Sequence, residues 1–261
     1  MRARWAFIGV GLALTAVLVG TGTVVAVNAM AHRTVQDEHT YAFRGTDLSV
    51  ELAIGEIQVT PSEEDDRIRV RRRLTYGLHR PAAEARIDGD VFRVRDAGCP
   101  APVSSSCRVR WQLQVPRFLT VNIRTDSGAI TVSGMSGRVH VVTDGGDIRT
   151  IAASGPKVTL LSKEGSVTAE NISSQQVVAT STSGAVSVSF RTPPSLAFGK
   201  SEVGSVEMVL PPGPETYRVS ASSPQGLRTV TVPDDVGSRR RVDASSVKGA
   251  VRVLTGSVPP A

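Results

Sequence analysis

Of the 261 residues in this chain, 40% are hydrophobic but only 4% are aromatic, and 30 Lys and Arg stand against 24 Asp and Glu for a formal net charge of +6. A mildly basic chain with so few rings excludes a single-stranded nucleic-acid groove, which interleaves basic residues with stacking aromatics. Helix signals nearly vanish after Ala31, so the rest reads as one elongated all-β domain with a sizeable core.

The amino-terminal stretch is a different kind of segment. From Trp5 to Ala31 there is no charged residue, which is long enough to cross a bilayer as a helix. Arg2 and Arg4 before it favour an amino terminus left in the cytoplasm. Residues 1–4 are therefore expected to be cytoplasmic, 5–31 to form a single transmembrane signal-anchor helix, and 32–44 to be a linker to a body outside the membrane. Setting Arg2 and Arg4 aside leaves that body at +4. A cleaved signal is the competing reading, because Ala29-Met30-Ala31 has the small residues of a signal-peptidase site, although the apolar run is longer than a signal peptide needs. No lipid-bearing Cys follows the segment.

Beyond the linker, Leu48, Val50, Leu52, Gly55, Ile57 and Val59 form a first strand-glycine-strand unit. The next stretch, SEEDDRIRVRRRL, places Glu63, Glu64, Asp65 and Asp66 directly before Arg67, Arg69, Arg71, Arg72 and Arg73. It reads as a solvated, self-complementing face, or as a charged terminal strand that discourages edge-to-edge aggregation. The alternating runs DVFRVRD and RVRWQLQV then flank GCPAPVSSSC, which reads as a hairpin near residues 90–115 with Cys99 bridged to Cys107 across its base. Closing so short a loop stabilises a fold by roughly 2.5 kcal/mol on the chain-entropy model. Disulfides persist in oxidising compartments, in keeping with export. A metal or redox pair fits poorly, because seven residues intervene and the loop holds no His.

From Val121 onward one unit recurs. Gly128, Gly146, Gly165 and Gly184 are 18, 19 and 19 residues apart, and the series extends to Gly204 and Gly249 and back to Gly55. Two residues after the last six glycines stand Ile130, Ile148, Val167, Val186, Val206 and Val251, all β-branched. Three residues before them stand Thr125, Thr143, Ser162, Ser181, Ser201 and Ser246; before Gly55 the position is Leu52. Apolar residues separated by one precede each hydroxyl, the period-2 signature of a half-buried strand. A period near 19 leaves room for two short strands and tight corners but no crossover helix. The expected fold is a single-stranded parallel β-solenoid, a β-helix-like stack of 18–20-residue coils over residues 45–255, with 256–261 a flexible tail. Each glycine marks a corner where a Cβ would crowd the next coil.

Catalytic and metal-binding constellations are not evident. His32, His39, His79 and His140 are scattered, and His140, between Val139 and Val141, projects away from the core. The turn Asp144-Gly145-Gly146-Asp147 resembles the calcium turns of Gly/Asp-rich β-rolls, but the next corner carries Lys163 where the acid is needed. The Asp126 and Asp144 side chains could share a single cation, although an Asp at a turn more commonly bonds nearby amides. The hydroxyl column is either a flat stripe for a carbohydrate or an inward structural ladder; its parity with the valines favours the ladder. Function has more room in the two interruptions, between Gly55 and Gly128 and between Gly204 and Gly249, where insertions form caps or binding loops.

The apolar anchor, the strand end Val115-Pro116 and the run VNIRTDSGAITVSGMSGRVHVVTDGGDI together resemble the "putative adhesin" family of bacterial β-strand-repeat domains, with tandem T-x-S-G-x-I/V-x-V coils. The likeness covers about residues 45–255 and is strongest from Val121 to Val188. It implies a β-solenoid of the cell envelope without enzymatic activity or cofactor, and its motif residues define the coil, not an active site. A membrane-anchored binding, adhesion or scaffolding module is therefore expected, with an envelope protein or a glycan as partner and no nucleic acid. Two alternatives stand beside it: a regulatory ectodomain that senses envelope stress with a membrane partner, and a polysaccharide-active β-helix enzyme, for which the repeat supplies no groove of clustered acids.

Overall fold

The computed structural model describes residues 33–76, 80–98 and 107–256. The expected membrane segment, Cys99, His32, His79 and the tail beyond Gly256 lie outside the described residues. Every regular element among those described is a strand. In chain order they are β1 (Arg33–Ala42), β2 (Asp47–Ile54), β3 (Glu56–Pro61), β4 (Arg67–Tyr76), β5 (Ala83–Asp88), β6 (Val91–Asp96) and β7 (Arg108–Val115). The repeat proper comprises β8 (Thr120–Ser127), β9 (Ile130–Ser133), β10 (Val139–Gly145), β11 (Ile148–Ile151), β12 (Lys157–Glu164), β13 (Val167–Ile172), β14 (Gln176–Ser183), β15 (Val186–Phe190), β16 (Leu196–Val203) and β17 (Val206–Leu210). Last come β18 (Arg218–Ser222), β19 (Arg228–Val230), β20 (Arg241–Lys248) and β21 (Val251–Thr255).

These strands form two facing sheets, and each coil gives one strand to each. The first sheet runs β1-β4-β7-β3-β9-β11-β13-β15-β17-β21-β19 and the second β18-β20-β16-β14-β12-β10-β8-β2-β6-β5. Like residues stack because the pairing is parallel and in register along the repeat, with a shift in β13 between Ala169 and Ile172: Val121, Val139, Val158, Val177, Ala197 and Val242 form one column. Ile57, Ile130, Ile148, Val167, Val186, Val206 and Val251 form the column opposite. Both columns are buried. A single coil could not hide its apolar face from water, whereas a neighbour on either side does so at the ~4.8 Å strand spacing.

Order along the stack differs from order along the chain at both ends. The coil of β2 and β3 lies between that of β6 and β7 and that of β8 and β9, so the chain leaves on one side and returns on the other. At the far end β18 and β19 take the terminal place, and β20 and β21 fill the gap behind them. The two interruptions of the sequence repeat are these excursions.

Three expectations need correction. Residues 33–42, expected within a linker, are β1, paired antiparallel with β4 along its whole length. The runs around the cysteines are not a hairpin, for β6 and β7 belong to opposite sheets. Each carries its own inward set, Phe92 and Val94 on one and Val109, Trp111, Leu113 and Val115 on the other, and the two sets face each other across the core. The antiparallel partner of β6 is β5, joined through Gly89 at φ +61°. The stack is also not parallel throughout, because β1, β4 and β7 pair antiparallel at its amino-terminal end.

The glycine column is a line of backbone contacts. A Cβ at Gly128, Gly146, Gly165, Gly184, Gly204 or Gly249 would collide with the carbonyl of the glycine one coil earlier, and Gly226 meets Gly249 in the same way. Gly165→Val, at φ +150° and against the Gly146 carbonyl, is expected to cost about 3 kcal/mol or more. Gly213→Ala, with nothing within 4 Å, should stay within about 1 kcal/mol of the parent. Urea denaturation separates the two, and coincident midpoints would rule out the carbonyl contact.

Candidate functional site

The hydroxyl column faces inward and bonds the corners. Ser162 Oγ donates to the Gly146 carbonyl at 3.1 Å, Ser181 to Gly165 at 2.8 Å, Ser201 to Gly184 at 2.8 Å and Ser246 to Gly204 at 2.7 Å. Thr125 and Thr143 bond each other, Oγ1 to Oγ1, at 2.9 Å. All six side chains belong to buried residues, so no hydroxyl stripe is offered to a ligand. One rung was missed in the sequence: Ser223 donates to the Gly249 carbonyl at 2.7 Å and belongs with Gly226, three residues on. The signal was the Ser-x-x-Gly spacing; it was masked by Arg228 at the position that is Ile or Val elsewhere.

The acidic turns are likewise occupied. Asp144 pairs with Lys163 at 2.7 Å, and that hydrogen bond holds its carboxyl below the usual range. Asp147 accepts the Ser166 amide at 2.8 Å, and Asp126 is exposed. Among the described residues no group of three metal-ligating side chains comes together. His140 is exposed on the outer face of the second sheet, whereas His39, also exposed, lies on the side of β1 that carries Asp37 and Tyr41, opposite Val70 of β4.

Charge and burial meet instead at the amino-terminal end. Arg72, on β4, turns inward and forms a two-pronged ion pair with Asp37 of β1. It also donates to the Ala83 carbonyl of β5, tying one sheet to the other, and its guanidinium lies 5.4 Å from the centre of the Trp111 ring. Beneath it Asp96, 5% exposed, stands opposite Leu52 in the hydroxyl column. Its Oδ1 accepts the Gly98 amide at 2.7 Å, while Oδ2 and Trp111 Nε1 are buried without hydrogen-bond partners. Burial raises the Asp96 pKa, opposed by the Gly98 amide and the Arg72 charge.

Outside this plug the first sheet presents a polar grid. Three rows run across β1, β4, β7 and β3: Gln36, Arg73, Arg110, Glu56; then Glu38, Arg71, Gln112, Gln58; then Thr40, Arg69, Gln114, Thr60. The arginines of β4 do not pair chiefly with the acids that precede them in sequence. Only Arg67 does so, with Glu64 at 3.0 Å, while Glu38 of β1 takes Arg71 at 3.0 Å and Arg69 at 3.6 Å.

A family model matches residues 46–254, the whole stack except β1 and the final residue of β21. The chain belongs to the Toastrack DUF4097 family. No curated protein matches it. Among solved structures, a "putative cell adhesion protein" from Clostridium sporogenes is 10% identical with a TM-score of 0.41, covering 85% of this chain and 100% of its own. A "putative adhesin" from Bacteroides fragilis is 11% identical with a TM-score of 0.45, covering 85% and 97%. One from Parabacteroides distasonis is 10% identical with a TM-score of 0.37, covering the same shares.

Within this Toastrack domain Asp96 gives a pH signature. The folded chain holds the Asp96 proton more tightly than the unfolded one. Its contribution to stability is therefore complete below the ordinary value of 3.8 and is lost as pH rises through the raised one. Asp96→Asn is expected to raise the melting temperature at pH 7, with the advantage closing toward pH 3. A difference that is the same at both pH values would contradict this.

Proposed function

We propose that this Toastrack domain is a non-catalytic binding or scaffolding module, held outside the cell membrane by residues 5–31. The observation that carries the reading is the fate of the repeat's polar side chains. Its hydroxyls bond corner carbonyls inside the stack, so the repeat spends them on the fold and leaves recognition to the side chains that its two sheets turn outward. A cluster of ion pairs lies on the first sheet over β1, β4, β7 and β3. Two sheets with polar outer faces suit recognition of an extended partner, and no cofactor enters the reading.

A second reading, a regulatory ectodomain paired with a membrane protein, draws support from the start of β1. This strand begins at Arg33, just after the apolar run ends at Ala31. With the run in the membrane, the charged end of the stack would stand at the bilayer surface without a spacer.

Cell fractionation should leave the full-length chain in the membrane pellet after a high-salt wash; a soluble product beginning at His32 would replace the anchor with a cleaved signal. Crosslinking on intact cells should recover the chain with an envelope component, a glycan under the first reading or a membrane protein under the second. Export also predicts Cys99 linked to Cys107 in non-reducing peptide mapping, and two alkylatable thiols in the native protein would contradict it.

A further inference from the structure

The arginine grid on the first sheet is not accounted for by the stability of the stack. Along β4, Arg69, Arg71 and Arg73 point outward because Ile68, Val70 and Leu74 are core residues. Outward polarity needs no particular charge, however. Protection of a sheet edge does not explain them either, since β1 covers β4, and β4 in turn covers β7. Arg73 and Arg110 are direct cross-strand partners, and like charges placed directly opposite destabilise a sheet.

Carboxylates on the grid answer only part of this charge. Glu56 takes Arg110 at 2.6 Å, and Glu38 is shared by Arg69 and Arg71. Among the described residues Arg73 has no carboxylate in ion-pair range; its Nη2 donates to the amide oxygen of Gln36 at 3.0 Å. Arg108, one step further along β7, likewise has no ion pair among the described residues. Amides complete the rows, with Arg69 on Gln114 at 3.1 Å and Gln112 on Gln58 at 3.5 Å. Two shallow depressions of about 250 and 60 Å³ adjoin here and share Arg71 and Gln112 as their common wall.

We propose that this outer face of β1, β4, β7 and β3 binds a linear, carboxylate-bearing polysaccharide laid along β4, over its line of arginines. Guanidinium forks grip carboxylates with paired hydrogen bonds, and glutamine amides both donate to and accept from sugar hydroxyls. Alternate residues of β4 place its arginines about 7 Å apart, a line of charge suited to a polymer rather than to one small anion. An anion bridging Arg73 and Arg110 relieves the repulsion between them. The grid holds no aromatic side chain on which bases would stack, which disfavours nucleic acid as the occupant.

This inference rests on the binding-module reading and names its ligand. The test is affinity of the full-length protein, in nonionic detergent, for polygalacturonate. Binding is expected to weaken as salt rises. Arg73→Gln with Arg110→Gln should weaken it about tenfold or more, as expected for charge-assisted hydrogen bonds, while Arg252→Gln, outward at the far end of the same sheet, leaves it unchanged. If the double variant melts below the parent, Arg73→Gln alone serves, since that side chain holds only the Gln36 amide, and it too should lower affinity. Absence of binding, equal binding to neutral dextran, an unaffected variant, or a thymidine oligonucleotide of matched charge that binds as tightly would each overturn the proposal. Recovery of a membrane protein by crosslinking, with no affinity for polygalacturonate, would sink this inference and leave the binding-module reading standing.

Discussion

The corner contact between successive coils is the constraint on which this structure depends. At each corner the backbone of one glycine passes so close to the carbonyl of the last that a Cβ has no place. The same carbonyls are where the serine ladder delivers its hydrogen bonds. Close approach and hydrogen bond act together, for a side chain at the glycine would push the coils apart and leave a buried hydroxyl and carbonyl unpaired, which costs more than the bond itself contributes. The apolar columns on both sheets stay in register because the corners do. Positive φ is secondary, since Gly184 and Gly249 are absent from the residues with that geometry yet meet the same carbonyl wall.

Translation along the stack made much of this legible in the sequence. Each coil repeats the environment of the last, so the glycine, hydroxyl and valine positions recur at one period and reveal the solenoid without tertiary information. The ends break that condition. The coil of β2 and β3 is first in sequence but interior in space, and the coil of β18 and β19 precedes the one it covers. Gly226 was hidden for a related reason: the terminal coil has a neighbour on one side only, so Arg228 stands exposed where an interior coil needs Ile or Val. The strand β1 lacked a signal because Asp37 and His39 interrupt the alternation that Val35 and Tyr41 would otherwise give its inward side, and its pairing rests on a distant strand, β4.

The charged end was half legible. An arginine run is plain in sequence, and the outward or inward sense of each residue follows from parity. Its partners do not, because Asp37 and Glu38 come from the segment that looked like a linker. Arg72 differs from its neighbours only in parity, yet that turns it from a surface charge into a plug over Trp111. Asp96 took a hydroxyl's place in the column with no repeat to announce it, since its own corner ends in Gly98 at φ +76°.

Topology at the amino-terminal end also bears on how the domain would meet mechanical load. A solenoid that wound from its first residue would present its first coil as an outermost layer, and tension entering there could peel the coils away one by one. Here a pull at Arg33 strips β1 and then reaches β2, which is held in parallel register by β6 on one side and β8 on the other. Traction along a strand locked between two neighbours must shear both ladders at once, whereas an edge strand can unzip bond by bond. By burying its first coil beneath one made later, the chain converts a vulnerable end into an interior clamp.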